Sequence, residues 1–352
     1  MAVRAALLAC IAVAVAVAFA FTAMIATAEP AGAHGVDAVP ATSERARVLR
    51  VEPEVEGVEV RLLDAGRRLE VRNDTTTDVV VLGYDGEPYL RVGPEGAFRN
   101  RLSPATFWNE RTDTVGSLPA TFDAALAPEW ERLGDTPVVR WHDHRLHWQG
   151  PAPDADAARR VLATWTVEMR HGGAALVVQG DIVHEPPPSP LPAVGLGAVV
   201  AVAVGLVART RRWPAALAAG LAVTGALGLV DVIGRWGGSS RGAWTKSLES
   251  VYVLGGAALA LWAATRLARH RTDPYATTPL ALLAGVVTTI AIALSGIPWL
   301  RAAFLPTTLP DGAARALVGV AVGAGVASTA VAASRLRPAT PRGAGGLARM
   351  AP

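Results

Sequence analysis

The sequence is poor in cysteine and in aromatic side chains, and both shortages restrict what the chain can encode. Its single cysteine, Cys10, lies inside the first apolar run of the 352 residues, so no intrachain disulfide and no multi-cysteine metal site can form. Aromatic residues are only 6% of a chain that is 51% hydrophobic. The apolar residues are mostly Ala, Val, Leu and Gly, which is typical of closely packed membrane helices.

A strongly basic surface and the common enzymatic motifs are also missing. Net charge is +3, and outside the predicted β domain the basic residues lie mainly in short segments that flank apolar runs. That placement indicates membrane topology and does not favour nucleic-acid binding. We find no P-loop, dinucleotide fingerprint or H-E-x-x-H. Asp85 and Glu87 flank Gly86. This spacing favours a turn over a carboxylate pair that does acid–base chemistry. We therefore expect a protein that is not an enzyme.

The first 33 residues are predicted to be a secretory signal peptide. Arg4 supplies the positive charge, Ala5–Ile25 is apolar, and A-x-A cleavage patterns precede Glu29 and His34. The apolar run is long enough that an uncleaved membrane anchor is the alternative. Either form delivers the following domain to the outside of the cell.

Residues 34–185 are predicted to form an extracytoplasmic all-β domain. The segments 58–62 and 69–72 alternate apolar and polar residues, and 79–82 is a continuous β-branched run. Residues 165–169 and 174–183 predict a hairpin with its turn at 171–173. Several short strands favour an antiparallel, Ig-like sandwich. The stretch 93–137 has little regular patterning and is predicted to be mostly loop.

A proline-rich linker, 186–192, leads into a predicted membrane domain at 193–335, and a basic tail follows at 336–352. Each apolar segment of the membrane domain is close to the ~20 residues that a helix needs to span hydrocarbon. The five predicted helices are 193–208, 214–233, 248–265, 278–296 and 313–333.

The distribution of arginine predicts the orientation of these helices. If the β domain is outside, the loops on that side carry Arg235, Arg241, Lys246 and Arg301, with Arg315 just inside the last helix. The opposite side carries ten arginines: Arg209, Arg211, Arg212, Arg266, Arg269, Arg271, Arg335, Arg337, Arg342 and Arg349. The positive-inside rule then predicts a multi-pass plasma-membrane protein with a cytoplasmic C-terminus.

The segment from Trp141 to Trp148, W-H-D-H-R-L-H-W, contains three of the seven histidines in the chain. On a strand, His142 and His144 would share one face, with Asp143 and His147 on the other. In a loop all four side chains could converge. Imidazole is a good ligand for copper or zinc. The alternative is that these side chains bind backbone or carboxylate groups while the tryptophans pack.

His34 is a further candidate ligand. If cleavage follows Ala33, the α-amine and ring of His34 can chelate one metal ion together. The A-G-A-H start, a following β domain and C-terminal membrane helices resemble CopC-type copper-resistance proteins fused to membrane helices. That resemblance implies a β-sandwich in which an N-terminal histidine binds copper. The chain departs from it in having no Met-rich segment and, from 193 to 335, only His270 as a histidine.

The sequence also resembles uncharacterised actinobacterial exported membrane proteins. The resemblance rests on V-L-G-Y-D-G-E-P-Y-L, from Val81 to Leu90, and on the W-H-D-H-R segment. It implies no biochemical activity.

Four ionisable residues lie near the outer ends of two consecutive predicted helices. The spacing predicts that Asp231 pairs with Arg235 and that Lys246 pairs with Glu249, each within one helical turn. Such pairs favour a structural rim, although charge within a membrane is also a functional candidate.

Three functions are compatible with these patterns. The first is a membrane-anchored extracytoplasmic domain that binds a transition metal, copper or zinc, for metal handling in the envelope. The second is a scaffold without metal, whose partners are the lipid bilayer and an envelope protein or a second copy. The third is a transporter or enzyme that uses Asp231 and Glu249.

Overall fold

The computed structural model describes residues 41–111, 117–154, 157–269 and 273–336. They form an N-terminal domain of two antiparallel sheets followed by five long apolar helices. The predicted signal peptide, its cleavage sites, His34 and the tail beyond residue 336 lie outside the described residues.

The larger sheet has seven strands, and its first and last strands in the chain are neighbours. The strand order is β1-β10-β9-β4-β5-β6-β7. Every pairing is antiparallel. The strands are β1 (Glu44–Glu52), β4 (Val79–Leu82), β5 (Pro88–Gly93), β6 (Gly96–Asn100), β7 (Trp130–Gly134), β9 (Arg160–His171) and β10 (Ala174–His184).

The smaller sheet contains β2 (Val58–Leu63), β3 (Arg68–Asn73) and β8 (Val138–His142), in the order β2-β3-β8. Its alternating pattern buries Leu69 and Val71 of β3. They join Trp165 and Val167 of β9 in one hydrophobic core between the sheets. Burial of these side chains from both sheets is the main stabilising term of the domain.

The stretch from 93 to 137 contains more regular structure than its sequence predicts. It supplies β6, β7 and a short helix, α1 (Pro104–Asn109). The Ser103 hydroxyl caps α1 by accepting from the Ala105 N–H at 3.1 Å, and the buried Glu87 carboxylate accepts from the Ser103 hydroxyl at 2.6 Å. These short elements have no clear hydrophobic period of their own, so they depend on neighbouring strands and caps for their stability.

The five long helices each contain one of the predicted apolar segments. Their length and composition suit a lipid bilayer and make the chain a multi-pass membrane protein. A 3₁₀ turn, Ile297–Arg301, follows the fourth of them. The helices are α2 (Leu191–Ala208), α3 (Trp213–Gly238), α4 (Ala243–Ala268), α5 (Pro274–Gly296) and α6 (Asp311–Ser334).

The β domain docks directly onto the ends of these helices. The backbones of Thr42 and Phe304 exchange two hydrogen bonds, at 3.0 and 2.9 Å, between the start of the domain and the α5–α6 connection. The buried carboxylate of Asp64 accepts from the backbone N–H of Ser240, in the α3–α4 connection, at 3.0 Å and from its hydroxyl at 2.5 Å. These contacts place the C-terminal end of α3 and the N-terminal end of α6 against the domain.

Candidate metal site

Three histidine rings gather where β8 leaves the smaller sheet. The ring centroid of His142 lies 4.9 Å from that of His144 and 4.4 Å from that of His147. The centroids of His144 and His147 are 6.4 Å apart. All three side chains are partly exposed. The structure therefore brings together the three histidines of the W-H-D-H-R-L-H-W segment.

A 3₁₀ turn produces this arrangement. His142 is the last residue of β8 and pairs with Arg68 of β3. The chain then turns through His144–Leu146, with the Asp143 side chain accepting from the Arg145 N–H at 3.0 Å as the N-cap. In a 3₁₀ turn, residues three apart project on the same side, so His147 returns to the side of His144.

Asp143 points away from the imidazoles into the domain. It is completely buried and accepts hydrogen bonds from the Trp141 indole at 2.9 Å and from the Arg145 guanidinium at 2.9 and 2.7 Å. Burial alone raises the pKa of Asp143, but the hydrogen bonds and charge of Arg145 outweigh it and hold the pKa below its usual value. Its protein partners occupy the carboxylate, which leaves it outside the histidine cluster.

The ring nitrogens of the cluster have different surroundings. Nε2 of His144 is 2.9 Å from the Trp108 carbonyl at the end of α1, and it donates because a carbonyl can only accept. Nδ1 of His144 is then the unprotonated nitrogen when the ring is neutral. Nε2 of His147 is buried and has no hydrogen-bond partner among the described residues. Such an orphaned buried nitrogen requires an explanation.

The imidazoles of His142 and His147 are neutral near pH 7. Burial, and then the neighbouring His147 and His144, lower the pKa of His142 to about 4. Burial, and then the charge of Arg67, lower the pKa of His147 to about 4. Metal coordination uses the neutral ring.

The rings as they stand do not converge on a single point. The planes of His142 and His147 are 30° apart, so the two rings are stacked and carry their nitrogens at their edges. Within the ranges that the structure describes, no group of three or more His, Cys, Asp or Glu side chains is arranged to hold a metal ion. A shared ion would require at least one ring to turn about its side-chain torsions.

The ionisable residues of the helices form one of the two predicted pairs. Nε of Arg235 donates to Asp231 at 2.8 Å, and its guanidinium lies 3.7 Å from the centroid of the Trp299 ring. Asp231 is buried, and the Arg235 side chain is partly exposed. This is the arrangement of a structural ion pair, in which neither charge is left alone.

The predicted pair of Lys246 with Glu249 is wrong. Glu249 accepts from Arg241 in the α3–α4 connection, and Nζ of Lys246 donates to the Trp236 carbonyl at 2.7 Å. Trp236 lies in the last turn of α3, where backbone carbonyls have no partner within the helix. A cation in the first turn of the next helix stabilises those carbonyls more directly than it stabilises a carboxylate on its own helix.

Sequence reasoning missed two groups beside the histidines. The Trp108 carbonyl comes from a helix that has no periodic signal, and Arg67 reaches His147 from the turn before β3. Both groups are far from the histidines in the sequence, so no local pattern could predict these contacts. Comparison of the chain with models of protein families, with curated proteins and with solved structures finds no match.

Proposed function

We propose that the β domain binds a transition-metal ion through His142, His144 and His147. The observation that carries this proposal is the spacing of the three rings, whose centroids are 4.4, 4.9 and 6.4 Å apart. A metal ion about 2 Å from each ligating nitrogen separates the centroids of two imidazoles by roughly 4.5–5.5 Å. The backbone therefore already holds the rings within about 1 Å of that spacing, and rotation of the side chains completes the site.

Two further features support a metal at this position. The buried, unpartnered Nε2 of His147 gains a ligand that compensates its desolvation. Metal-ligating histidines usually donate their second N–H to a carbonyl or carboxylate, which fixes the ring, and His144 donates in this way to Trp108.

Copper(II) is the metal that this donor set favours. The cluster offers imidazole nitrogens only, because Asp143 is committed to Arg145 and no cysteine occurs beyond Cys10. Among divalent first-row ions, sites with nitrogen ligands bind Cu(II) most tightly, with Zn(II) weaker. If the signal peptide is cleaved after Ala33, the α-amine and ring of His34 would add a second chelating group. This is what the resemblance to CopC-type proteins, with their Ig-like sandwich, implies.

We further propose that the β domain faces the outside of the cell and handles metal ions in the envelope. The loops on the β-domain side of the helices carry few basic residues, whereas Arg209, Arg211 and Arg212 crowd the α2–α3 connection on the opposite side. The positive-inside rule assigns that side to the cytoplasm.

Copper titration of the full chain in detergent micelles tests the metal site. We expect wild type to bind one Cu(II) with nitrogen hyperfine structure in its electron paramagnetic resonance spectrum. The variant His142→Ala/His144→Ala/His147→Ala should lose that signal. The variant His171→Ala is a matched control, because His171 lies in the same domain and bonds to Thr75 at 3.1 Å, away from the cluster. Equal copper affinity and an equal spectrum for wild type and the triple variant would refute the proposal.

A separate experiment tests the orientation. In a Cys10→Ser background, a cysteine at Asp135 on the β domain should react with a membrane-impermeant maleimide in intact cells. A cysteine at Arg211, in the α2–α3 connection, should react only after lysis. The reverse labelling pattern would show that the domain is cytoplasmic. This result does not affect the test of the metal site, because copper binding is measured on purified protein.

A further inference from the structure

Two adjoining cavities lie at the junction between the β domain and the helices. The larger has a volume of about 390 Å³, and its walls come from β1, β2, the turn at 64–66, the end of α3 and the α5–α6 connection. The smaller, of about 190 Å³, shares Arg45 and Arg47 with it and extends toward the proline-rich linker. The larger volume lies within the ~300–1,000 Å³ range of small-molecule sites.

Arginine dominates the charged groups of these walls. The larger cavity is lined by Arg45, Arg47 and Arg61 against the single carboxylate of Asp64. That carboxylate is already bound by Ser240. The smaller cavity adds two more arginines and two more carboxylates, which are Arg159, Arg315, Glu185 and Asp311. Both cavities therefore carry more guanidinium groups than carboxylates.

Carboxylates outside the cavity walls hold two of these arginines in place. Arg47 donates to Asp181 at 2.9 and 2.5 Å, and Nε of Arg61 donates to Glu70 at 2.5 Å. Arg45 is held less tightly, because its nearest nitrogen is 3.7 Å from Asp311, which is beyond hydrogen-bonding distance. Its guanidinium lies over the Phe304 ring at 4.3 Å. Phe304 and Asp311 line the smaller cavity, and Arg45 lines both, so the Arg45 guanidinium lies where the two cavities adjoin. Among the described residues, its N–H groups have no hydrogen-bond acceptor.

The larger cavity lies at the level where the helices leave the hydrocarbon. Gly237 and Gly238 end α3, and Thr307 and Thr308 lie just before α6 begins. Lipid headgroups occupy this layer of a bilayer. The guanidinium fork matches the oxygens of a phosphate group and is the usual protein partner for it.

We infer that the larger junction cavity binds the phosphate group of an anionic lipid headgroup, with Arg45 and Arg61 as its principal contacts. A headgroup in this cavity touches the β domain and the helix ends together. Its binding then stabilises the docked arrangement made by Thr42 with Phe304 and by Asp64 with Ser240. This site is separate from the histidine cluster and does not depend on metal binding.

Native mass spectrometry of the full chain, exchanged into mixed phosphatidylglycerol and phosphatidylcholine micelles, tests this inference. We expect wild type to retain one phosphatidylglycerol in preference to phosphatidylcholine. Arg45→Gln and Arg61→Gln should each weaken that retention roughly tenfold, the size of a lost charge-assisted hydrogen bond. Arg50→Gln is the matched control, because Arg50 is on the same strand as Arg45, is 56% exposed and does not line either cavity.

Three results would overturn the inference. The first is equal retention of the two lipids by wild type. The second is unchanged phosphatidylglycerol retention in the double variant Arg45→Gln/Arg61→Gln. The third is binding of inorganic phosphate to the lipid-free protein as tight as the binding of phosphatidylglycerol. That result would make free phosphate the ligand. The variant Arg45→Lys is a control for misfolding, because it keeps the positive charge. It should retain more lipid than Arg45→Gln.

Discussion

The ring of His147 stacks on the ring of His142 with their centroids 4.4 Å apart, although the two residues are five positions apart in the chain. The contact exists because the 3₁₀ turn after β8 brings the chain back across its last strand residue. Two neutral rings can stack in this way without metal, whereas Nε2 of His147 is buried and has no hydrogen-bond partner in the part of the chain that the structure describes. The pair therefore combines favourable packing with one polar atom that a ligand would satisfy.

Replacement of His147 by phenylalanine separates packing from coordination. We expect His147→Phe to keep the thermal unfolding midpoint of the full chain at or above that of wild type, because the ring still stacks and the orphaned nitrogen is gone. Its Cu(II) affinity should fall at least ~10-fold, the minimum loss seen when even an outer-shell partner of a metal is removed. Scanning fluorimetry and copper titration measure the two quantities. A variant that melts early but binds copper normally would assign His147 a structural role only.

Removal of the charge on Asp143 should destabilise the β domain strongly. Asp143→Asn leaves the Arg145 guanidinium, only 19% exposed, without its carboxylate. Breaking a buried ion pair by removing one partner costs about 3–5 kcal/mol. At ~2–4 °C per kcal/mol for a domain of this size, we expect the thermal midpoint to fall by about 6–20 °C. Asp74→Asn is the control, because its carboxylate is 55% exposed and 3.7 Å from Arg72, so little stability depends on it. Equal midpoints for the two variants would contradict the structural role of Asp143.

Glu70 gives the β domain a predicted loss of stability in acid. Burial alone raises the pKa of Glu70, but hydrogen bonds from Arg61 and Arg140 and their charges outweigh it, so the folded-state pKa is below the usual value. The unfolded chain then takes up a proton before the folded one does. The stabilisation is complete above pH ~4.3, the unfolded value, and is lost as pH falls through the folded pKa.

The variant Glu70→Gln isolates this contribution. Its unfolding midpoint should be below that of wild type at neutral pH, and the difference should shrink as pH falls below ~4. Glu59→Gln, an exposed carboxylate two strand positions before Arg61, serves as the control and should follow wild type at every pH. Scanning fluorimetry from pH 7 to pH 3 measures the midpoints. A difference that stays constant across that range would rule out the linkage.

Close packing of α2 against α6 depends on glycine. A Cβ added at Gly323 would lie 2.1 Å from the Gly197 carbonyl oxygen, so the two helix backbones would have to separate. We expect Gly323→Ala to cost about 1–3 kcal/mol, the usual penalty of overpacking. Gly205→Ala on α2 is the control, because a Cβ there meets nothing within 4 Å. Thermal unfolding in micelles measures both variants. A loss of stability in Gly205→Ala as large as in Gly323→Ala would show that helix propensity or detergent, not contact, sets the outcome.

Several strands of the β domain and all five long apolar helices could be predicted from local sequence patterns alone. The alternation of Val58–Leu63 and the unbroken apolar character of Leu191–Ala208 are local properties, and burial of one sheet face or of a whole helix follows from them. The pairing of Asp231 with Arg235 was also predictable, because residues four positions apart on a helix lie next to each other on its surface.

Which charged and polar groups contact one another depends on the fold of the whole chain. A continued strand would place Asp143 and His147 on one face and His142 on the other. The chain leaves the sheet after His142, so the alternation of faces ends there. Asp143 turns to Arg145 in the core, and His147 stacks on His142. Glu249 pairs with Arg241 because the α3–α4 connection brings Arg241 close to the first turns of α4. Side-chain direction in a turn depends on caps and on distant partners, and those contacts form only when the whole chain has folded.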